Sequence, residues 1–225
     1  HRRVHAALAG AHHLADEPAE DLVLARQVLR DLRRAVVEHA VDQRRDGAGV
    51  ADLHQALARD EVALIWTIDR SEVIERVYSL RDGELVLRPE YFDMRGWPPG
   101  EQERYTPLLL QCFDRGGTFT GAFDNGRLVG AVVMDTLPLG PERDLVQLKM
   151  LHVSSAYRKR GLGARLFAHA REVARQRGAR GLYISATPSE NTIRFYQRQG
   201  CVVTPAPDPE LLALEPEDIH LECRW

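Results

Sequence analysis

Arg158, Lys159 and Arg160 stand in a row directly before Gly161-Leu162-Gly163, where an apolar strand-like run turns into a helical pattern. A strand that turns tightly into a helix leaves several backbone N–H groups without partners. With the helix dipole, those groups make an anion site. Gly161 and Gly163 carry no side chains, so an anion can approach the backbone closely, and the three cations add positive charge at the rim. Diphosphate suits such a cradle better than a carboxylate does. From Arg158 to Arg180 there are eight Arg or Lys and one acid, Glu172, in a chain whose formal net charge is −3. Tyr196, farther along, offers a phenol that can give a proton to a nearby leaving group.

Taken bare, the two-glycine turn also describes an ordinary strand-to-helix connection with solvated arginines. It is neither a Walker loop, which needs G-x-x-x-x-G-K-[ST], nor a dinucleotide fingerprint, which needs three glycines after the first strand of a parallel unit. Its meaning depends on the elements that position it.

Those elements can be read from pattern. Residues 1–60 read as a helical N-terminal extension, with "DLVLARQVLRDLRRAVVEHAV" at near-helical apolar spacing and "VADLHQALARD" as a further short helix. The remaining domain, 61–225, opens on "VALIWTI", a short β-rich run. Asp82-Gly83 and Asn125-Gly126 each sit between two strand patterns and predict hairpins. A helix is expected from about Glu101 to Phe113, and "LVQLKMLHV" is the strand that enters the basic turn. Leu162, Leu166, Ala170, Val173 and Ala174 mark one face of the helix that leaves it. A strand over "GLYISATP", a helix with Ser189 as N-cap and closing strands over "CVVTP" and "IHLECRW" complete the order. Hairpins followed by strand-helix-strand-helix-strand predict an α+β fold: a mixed, mostly antiparallel central sheet flanked by helices.

Composition sets outer limits. With 225 residues, 44% of them hydrophobic, the chain can build a sizeable core. Its charge balance gives no general attraction to nucleic acid or to an anionic membrane, and no apolar run reaches the length of a membrane span. Cys112, Cys201 and Cys223 fit neither a zinc pattern nor a disulfide framework, and the N-terminus has no apolar signal core, so a reduced, cytoplasmic setting is expected. His1, His5, His12 and His13 lack a Cys or an acid at ligand spacing, and no metal is expected.

The stretch "LHVSSAYRKRGLGARLFAHAREVARQRGARGLYISATPSENTIRFYQRQGC" resembles the core of the GNAT superfamily of N-acetyltransferases, most closely over residues 150–203. The family's acyl-CoA motif, Arg or Gln, two residues, Gly, one residue, Gly or Ala, is met by Arg158, Gly161 and Gly163. The later "RFYQRQGC" is similar to the family's closing segment, with Cys201 in place of the usual aromatic. The resemblance implies that the turn, Lys159 to Ala164 with Arg160 and Leu162 among them, holds the pyrophosphate of coenzyme A. It also implies that Leu151, His152 and Val153 pair with the pantetheine amides and that Ser189 or Asn191 touches the pantetheine arm. Arg158, Lys159 or Arg160 would meet the 3′-phosphate. Tyr196 would protonate the departing thiolate as a neutral amine attacks the acetyl carbonyl.

Two departures accompany the likeness. Where some members carry a glutamate base, this chain has Gln147, which cannot take a proton; His152, Glu190 and Asp135 are the alternatives. The asparagine of many relatives falls on Ser189, with Asn191 two residues later. The acceptor, an amine-bearing small molecule or peptide, is expected near "EYFDMRGWPPG", held by Tyr91, Asp93, Trp97 and Tyr105 through charge and cation–π contacts; Tyr91 and Trp97 could equally close the core. The C-terminal strand is a candidate for pairing across a homodimer. A non-catalytic acyl-CoA-binding regulatory module is the rival to an enzyme.

Overall fold

The computed structural model describes residues 52–225. The expected helix over 21–41 and the N-terminal histidines lie outside the described residues.

Sequence features and backbone geometry agree at both hairpins. Strand β2 (Glu72–Arg81) pairs antiparallel with β3 (Glu84–Met94). Their turn places Asp82 at φ 51° and Gly83 at φ 83°, the two successive positive angles that Asp-Gly supplies most readily. Asn125 and Gly126 do the same, at φ 49° and 74°, between β4 (Thr118–Asp124) and β5 (Arg127–Leu139). The β2–β3 ribbon forms a separate two-stranded sheet.

The main sheet has seven strands in the order β1-β4-β5-β6-β7-β9-β8. Its other members are β1 (Asp52–Ala56), β6 (Leu145–Val153), β7 (Gly181–Ala186), β8 (Val202–Val203) and β9 (Ile219–Arg224). Among the described residues only β6 and β7 run parallel; the other pairings are antiparallel. The mixed, mostly antiparallel sheet follows the expectation from element order. Helix α1 (Glu101–Asp114) ends ahead of Gly116, and α2 (Leu162–Gln176) follows the basic turn. Helix α3 (Glu190–Arg198) follows β7, and α4 (Pro209–Leu214) is a short turn ahead of β9.

Alternation along β5 divides the core between the two faces of the sheet. Val132 and Met134 pack with Leu166, Phe167 and Ala170 of α2 and with Ile193 of α3. Ala131 and Val133 pack with Leu109 and Cys112 of α1 and with Val62 and Ile65. Cys112, Cys201 and Cys223 are buried free thiols.

Two local expectations are corrected. "VALIWTI" belongs to a 3-10 segment, Arg59–Thr67, not to a strand. Its two buried residues, Val62 and Ile65, are three apart and so stack on one face of a three-residue turn, and the Glu61 carboxylate accepts the Ala58 N–H at 2.9 Å at its start. "VADLHQALARD" contains strand β1, which adds to β4 at the sheet edge, and Leu57 N–H then bonds Phe119 O at 2.9 Å. Pairing with β4 overrides the helical propensity of "HQALA". The sheet domain therefore starts by residue 52, not 61.

Candidate active site

The site begins where two parallel strands part. Strands β6 and β7 are paired only at Leu145–Gln147 with Gly181–Tyr183. From Leu148 onward β6 stays paired with β5, but its other edge has no strand partner among the described residues. Unpaired strand edges present N–H and C=O groups to whatever enters. A cleft of about 970 Å³ opens along this edge, lined by Leu148 to Val153 on one side and by Ser185, Ala186 and Thr187 on the other.

The basic turn closes one end of the cleft. Lys159 and Gly161 take left-handed backbone angles, φ 60° and 82°, and α2 starts at Leu162. No side chain caps this start and no acid occupies its first turn, so its free N–H groups and dipole are available to an anion. A Cβ placed on Gly161 would meet nothing within 4 Å; one on Gly163 would stand 3.4 Å from the Phe195 ring. Arg158, Lys159, Gly161, Gly163 and Ala164 all line the cleft. Leu162 does not: its side chain is 7% exposed and belongs to the core. Arg160 also stands outside, its guanidinium 5.7 Å from the centre of the Tyr157 ring.

Arg158 is anchored, not a loose rim cation. Its Nε donates to Val153 O at 2.9 Å and its Nη1 to Ser71 O at 3.1 Å, with Glu72 Oε2 at 3.4 Å. Glu72 Oε1 in turn accepts from Asn191 Nδ2 at 2.7 Å. The end of β6, the start of β2 and the first turn of α3 are thus tied across the cleft by one carboxylate. Ser189, 2% exposed, is the α3 N-cap, accepting from Thr192 N and donating to Thr192 Oγ1 at 2.9 Å. Ser189 and Asn191 both line the cleft, the Ser189 hydroxyl engaged by Thr192 and the Asn191 amide nitrogen by Glu72.

Tyr196 lines the same cleft from α3, 6% exposed and packed edge-on against Phe167 and Phe195. Burial, with the nearby Cys201 and Asp218, holds its phenol well above the usual range, so it carries its proton at neutral pH. His152 lies between the end of β6 and Trp97, ring centres 4.8 Å apart. Burial first, then the Arg70 and Arg158 charges, push its pKa down to about 3.

The loop expected to meet the acceptor reaches the cleft, but through other residues than Tyr91, Asp93 and Trp97. Pro98, Pro99 and Gly100 line the cleft, whereas Tyr91, Asp93 and Trp97 do not. Tyr91 is 73% exposed on the β2–β3 ribbon, and Asp93 pairs with Arg95 at 2.8 Å. Trp97 is structural: its indole N–H donates to Ile68 O at 2.9 Å, and its ring packs on Trp66 and carries the Arg70 guanidinium 4.6 Å from its centre. Arg70 itself bonds Glu101 at 2.8 Å, and both line the cleft.

Of the base candidates, Gln147 lines the cleft but is an amide that accepts from Lys149 Nζ at 3.3 Å. Asp135 and Glu190 are not in the cleft lining. Asp135 is clamped by Arg115 and Lys149, and Glu190 by Arg76 and Arg194 at 2.8 and 2.9 Å. Sequence reasoning missed Arg70, Glu72, Glu101 and Asp218, which reach the cleft from three separate segments, the entry to β2, the start of α1 and the residue before β9. No spacing links them; the acid-rich "EPED" ahead of a strand was the one local signal.

Among the described residues, no group of His, Cys, Asp and Glu is arranged to hold a metal ion, and no helix is long and apolar enough to cross a membrane.

Comparison with known proteins gives a consistent picture. The family model described as acetyltransferase (GNAT) family matches residues 81–201, more than half of the chain. Among solved structures, nourseothricin acetyltransferase aligns with a TM-score of 0.56 at 18% identity, over 76% of this chain and 96% of that one. A protein described as a streptothricin acetyltransferase from Bacillus anthracis, solved with acetyl coenzyme A, aligns with a TM-score of 0.58 at 16% identity, over 77% and 99%. N-acetylglutamate synthase from Neisseria gonorrhoeae aligns at 0.50 and 18% identity, over 79% of this chain and 36% of that one. At these identities the likeness is one of fold. No curated protein matches the chain.

Proposed function

The chain belongs to the acetyltransferase (GNAT) family, and from that premise we propose that it moves the acetyl group of acetyl-CoA onto a primary amine by direct attack. The observation that carries this reading is a juxtaposition. The open edge of β6, the uncapped start of α2 and the Tyr196 phenol all border one cleft.

The residues present fit the cosubstrate. Pyrophosphate would sit on the first-turn N–H groups of α2, where Gly161 leaves the approach open. Lys159 would supply a point charge there, while Arg158, spent on Val153, Ser71 and Glu72, would shape the turn. Amide groups of a pantetheine arm would pair with the free β6 edge at Leu151 to Val153, as an added strand does. Bound acetyl-CoA supplies an activated acetyl group on a thiol leaving group. Backbone N–H groups of the same edge would stabilise the developing oxyanion, and Tyr196 would give its proton to the departing sulfur. The Pro98-Pro99-Gly100 loop, Arg70 and Glu101 would frame the acceptor.

The test is calorimetric. Acetyl-CoA is expected to bind the unmodified protein with micromolar affinity, and Gly163→Trp, whose indole must crowd Phe195 and the mouth of the turn, to abolish binding while the melting profile stays cooperative. Absence of binding to the unmodified protein would overturn the reading.

A further inference from the structure

Five carboxylates line the cleft: Glu72, Glu101, Glu215, Glu217 and Asp218. Three are neutralised by arginines, Glu72 by Arg158 at 3.4 Å, Glu101 by Arg70 at 2.8 Å and Glu215 by Arg104 at 3.7 Å. Glu217 is exposed to solvent. Asp218 is the half-buried carboxylate without a salt bridge among the described residues; its side-chain partner is the Ser185 hydroxyl, which donates to Oδ2 at 3.1 Å.

Its position in the fold is specific. Asp218 immediately precedes β9, whose Ile219 and His220 pair with Ala186 and Ser185 at the end of β7. That is the strand end that has parted from β6. The carboxylate therefore stands at the mouth of the gap and close enough to Tyr196 for its charge to raise that phenol's pKa. Amide Gln147, weakly basic His152, and the ion-paired Asp135 and Glu190 are unsuited to take a proton there.

We propose that Asp218 is the general base of the transfer, receiving the proton of the acceptor ammonium at the open end of the β6–β7 gap. This assignment rests on the acetyl transfer proposed above. The ammonium gives one proton to Asp218, which passes it to solvent. The free amine attacks the acetyl carbon, the N–C bond forms and the C–S bond breaks, and the sulfur takes the Tyr196 proton. The nitrogen then sheds its second proton, which restores Tyr196, so one proton is released per turnover.

The groups around Asp218 tune it for this task. Burial raises its pKa to about 6, opposed by the Ser185 hydrogen bond on β7. Glu215 beyond α4 and Glu101 on α1 add to the rise and Arg70 opposes it, and about 6 is the net of all these influences. A carboxyl in this range is ionised at neutral pH yet basic enough to accept a proton. Tyr196 faces it from α3.

The experiment compares the unmodified protein with Asp218→Asn using three probe amines: nourseothricin and spermidine, which are protonated at pH 7, and hydroxylamine, which is not. Asn at 218 is expected to slow transfer to the protonated amines by roughly 100-fold at pH 7. Transfer to hydroxylamine should change by less than about threefold, since that amine needs no base for its first deprotonation. The affinity for acetyl-CoA should be unchanged. The rise in kcat/KM through about pH 6 should vanish and be replaced by a climb toward alkaline pH. Asp218→Glu should retain the acidic limb, guarding against a purely structural loss. Equal slowing of all three amines, or an unaltered pH profile, overturns the assignment alone. An unmodified protein that binds acetyl-CoA but acetylates none of the probes overturns acetyl transfer itself, and Asp218 as its base falls with it.

Discussion

Ser185 Oγ donates to Asp218 Oδ2 at 3.1 Å, joining the end of β7 to the residue that precedes β9. The bond favours the ionised carboxylate while burial opposes it, and burial is the larger influence, leaving the pKa at about 6 rather than 3.8. Removing the hydroxyl has a direct consequence. Ser185→Ala should move the acidic limb of the kcat/KM profile to higher pH, with little change in the plateau rate; a limb that stays in place would show that Asp218 does not generate it.

The same burial makes a statement about stability. A carboxyl whose pKa is raised on folding binds its proton more tightly in the native protein than in the unfolded chain. Its contribution is therefore fully present below about pH 3.8 and is lost as pH rises through about 6. Asp218→Asn, neutral throughout, should melt higher than the unmodified protein at pH 8, by roughly 1–2 kcal/mol in stability, and should lose that advantage at pH 4. Calorimetric scans at the two pH values check this.

Tyr196 packs by its ring, and no side-chain hydrogen bond holds its hydroxyl among the described residues. Tyr196→Phe should therefore change stability by less than about 1 kcal/mol. The same substitution should lower kcat on the order of 100-fold, with acetyl-CoA affinity retained. Parallel measurement of melting temperature, binding and turnover separates the two effects.

His152 is held neutral by burial and by the Arg70 and Arg158 charges, with a pKa of about 3 against an ordinary 6.5. The unfolded chain takes a proton near pH 6.5 that the native ring refuses, so this site favours the native state above that pH and weakens it as pH falls toward 3. Its ring NMR signals should stay fixed between pH 5 and 8. A histidine signal assigned to position 152 that titrates near 6.5 would contradict the packing against Trp97.

Asp135, 3% exposed, is clamped between Arg115 and Lys149 and bonded by Thr136 N at 2.7 Å. Although burial opposes ionisation, those partners prevail and hold its pKa at about 2. Its contribution is present above about pH 3.8 and is lost as pH falls through 2. Asp135→Asn leaves two cations short of their counter-charge and should cost about 3 kcal/mol at pH 7, measurable by urea denaturation.

Much of this protein is legible from local chemistry. Asp82-Gly83 and Asn125-Gly126 specify their hairpins because few other pairs accept two positive φ angles in succession. Gly161 marks a helix start because its backbone turns left-handed there. Ser189 caps α3 because its hydroxyl reaches Thr192 N. The basic turn and Tyr196 were legible as candidates for the same reason, since each belongs to one short segment. "VALIWTI" was misread because a seven-residue apolar run serves a strand or a tight helix equally, and the three-residue spacing of Val62 and Ile65 only matters once α1 packs on it. Trp97 looked like an acceptor contact, yet it packs behind Arg70 and His152, which a linear sequence does not order in depth.

Sequence by itself determined the two hairpins, the strand and helix order from β2 through α3 and the glycine turn, because these depend on residues within a few positions of one another. Tertiary structure alone decided that β6 and β7 part after Gln147, that Glu72 links Asn191 to Arg158, and that Asp218 stands at the gap bonded to Ser185 and without a salt bridge among the described residues. Each of those facts sets together residues many positions apart in the chain, and their charge state follows from burial and neighbours that no local pattern encodes.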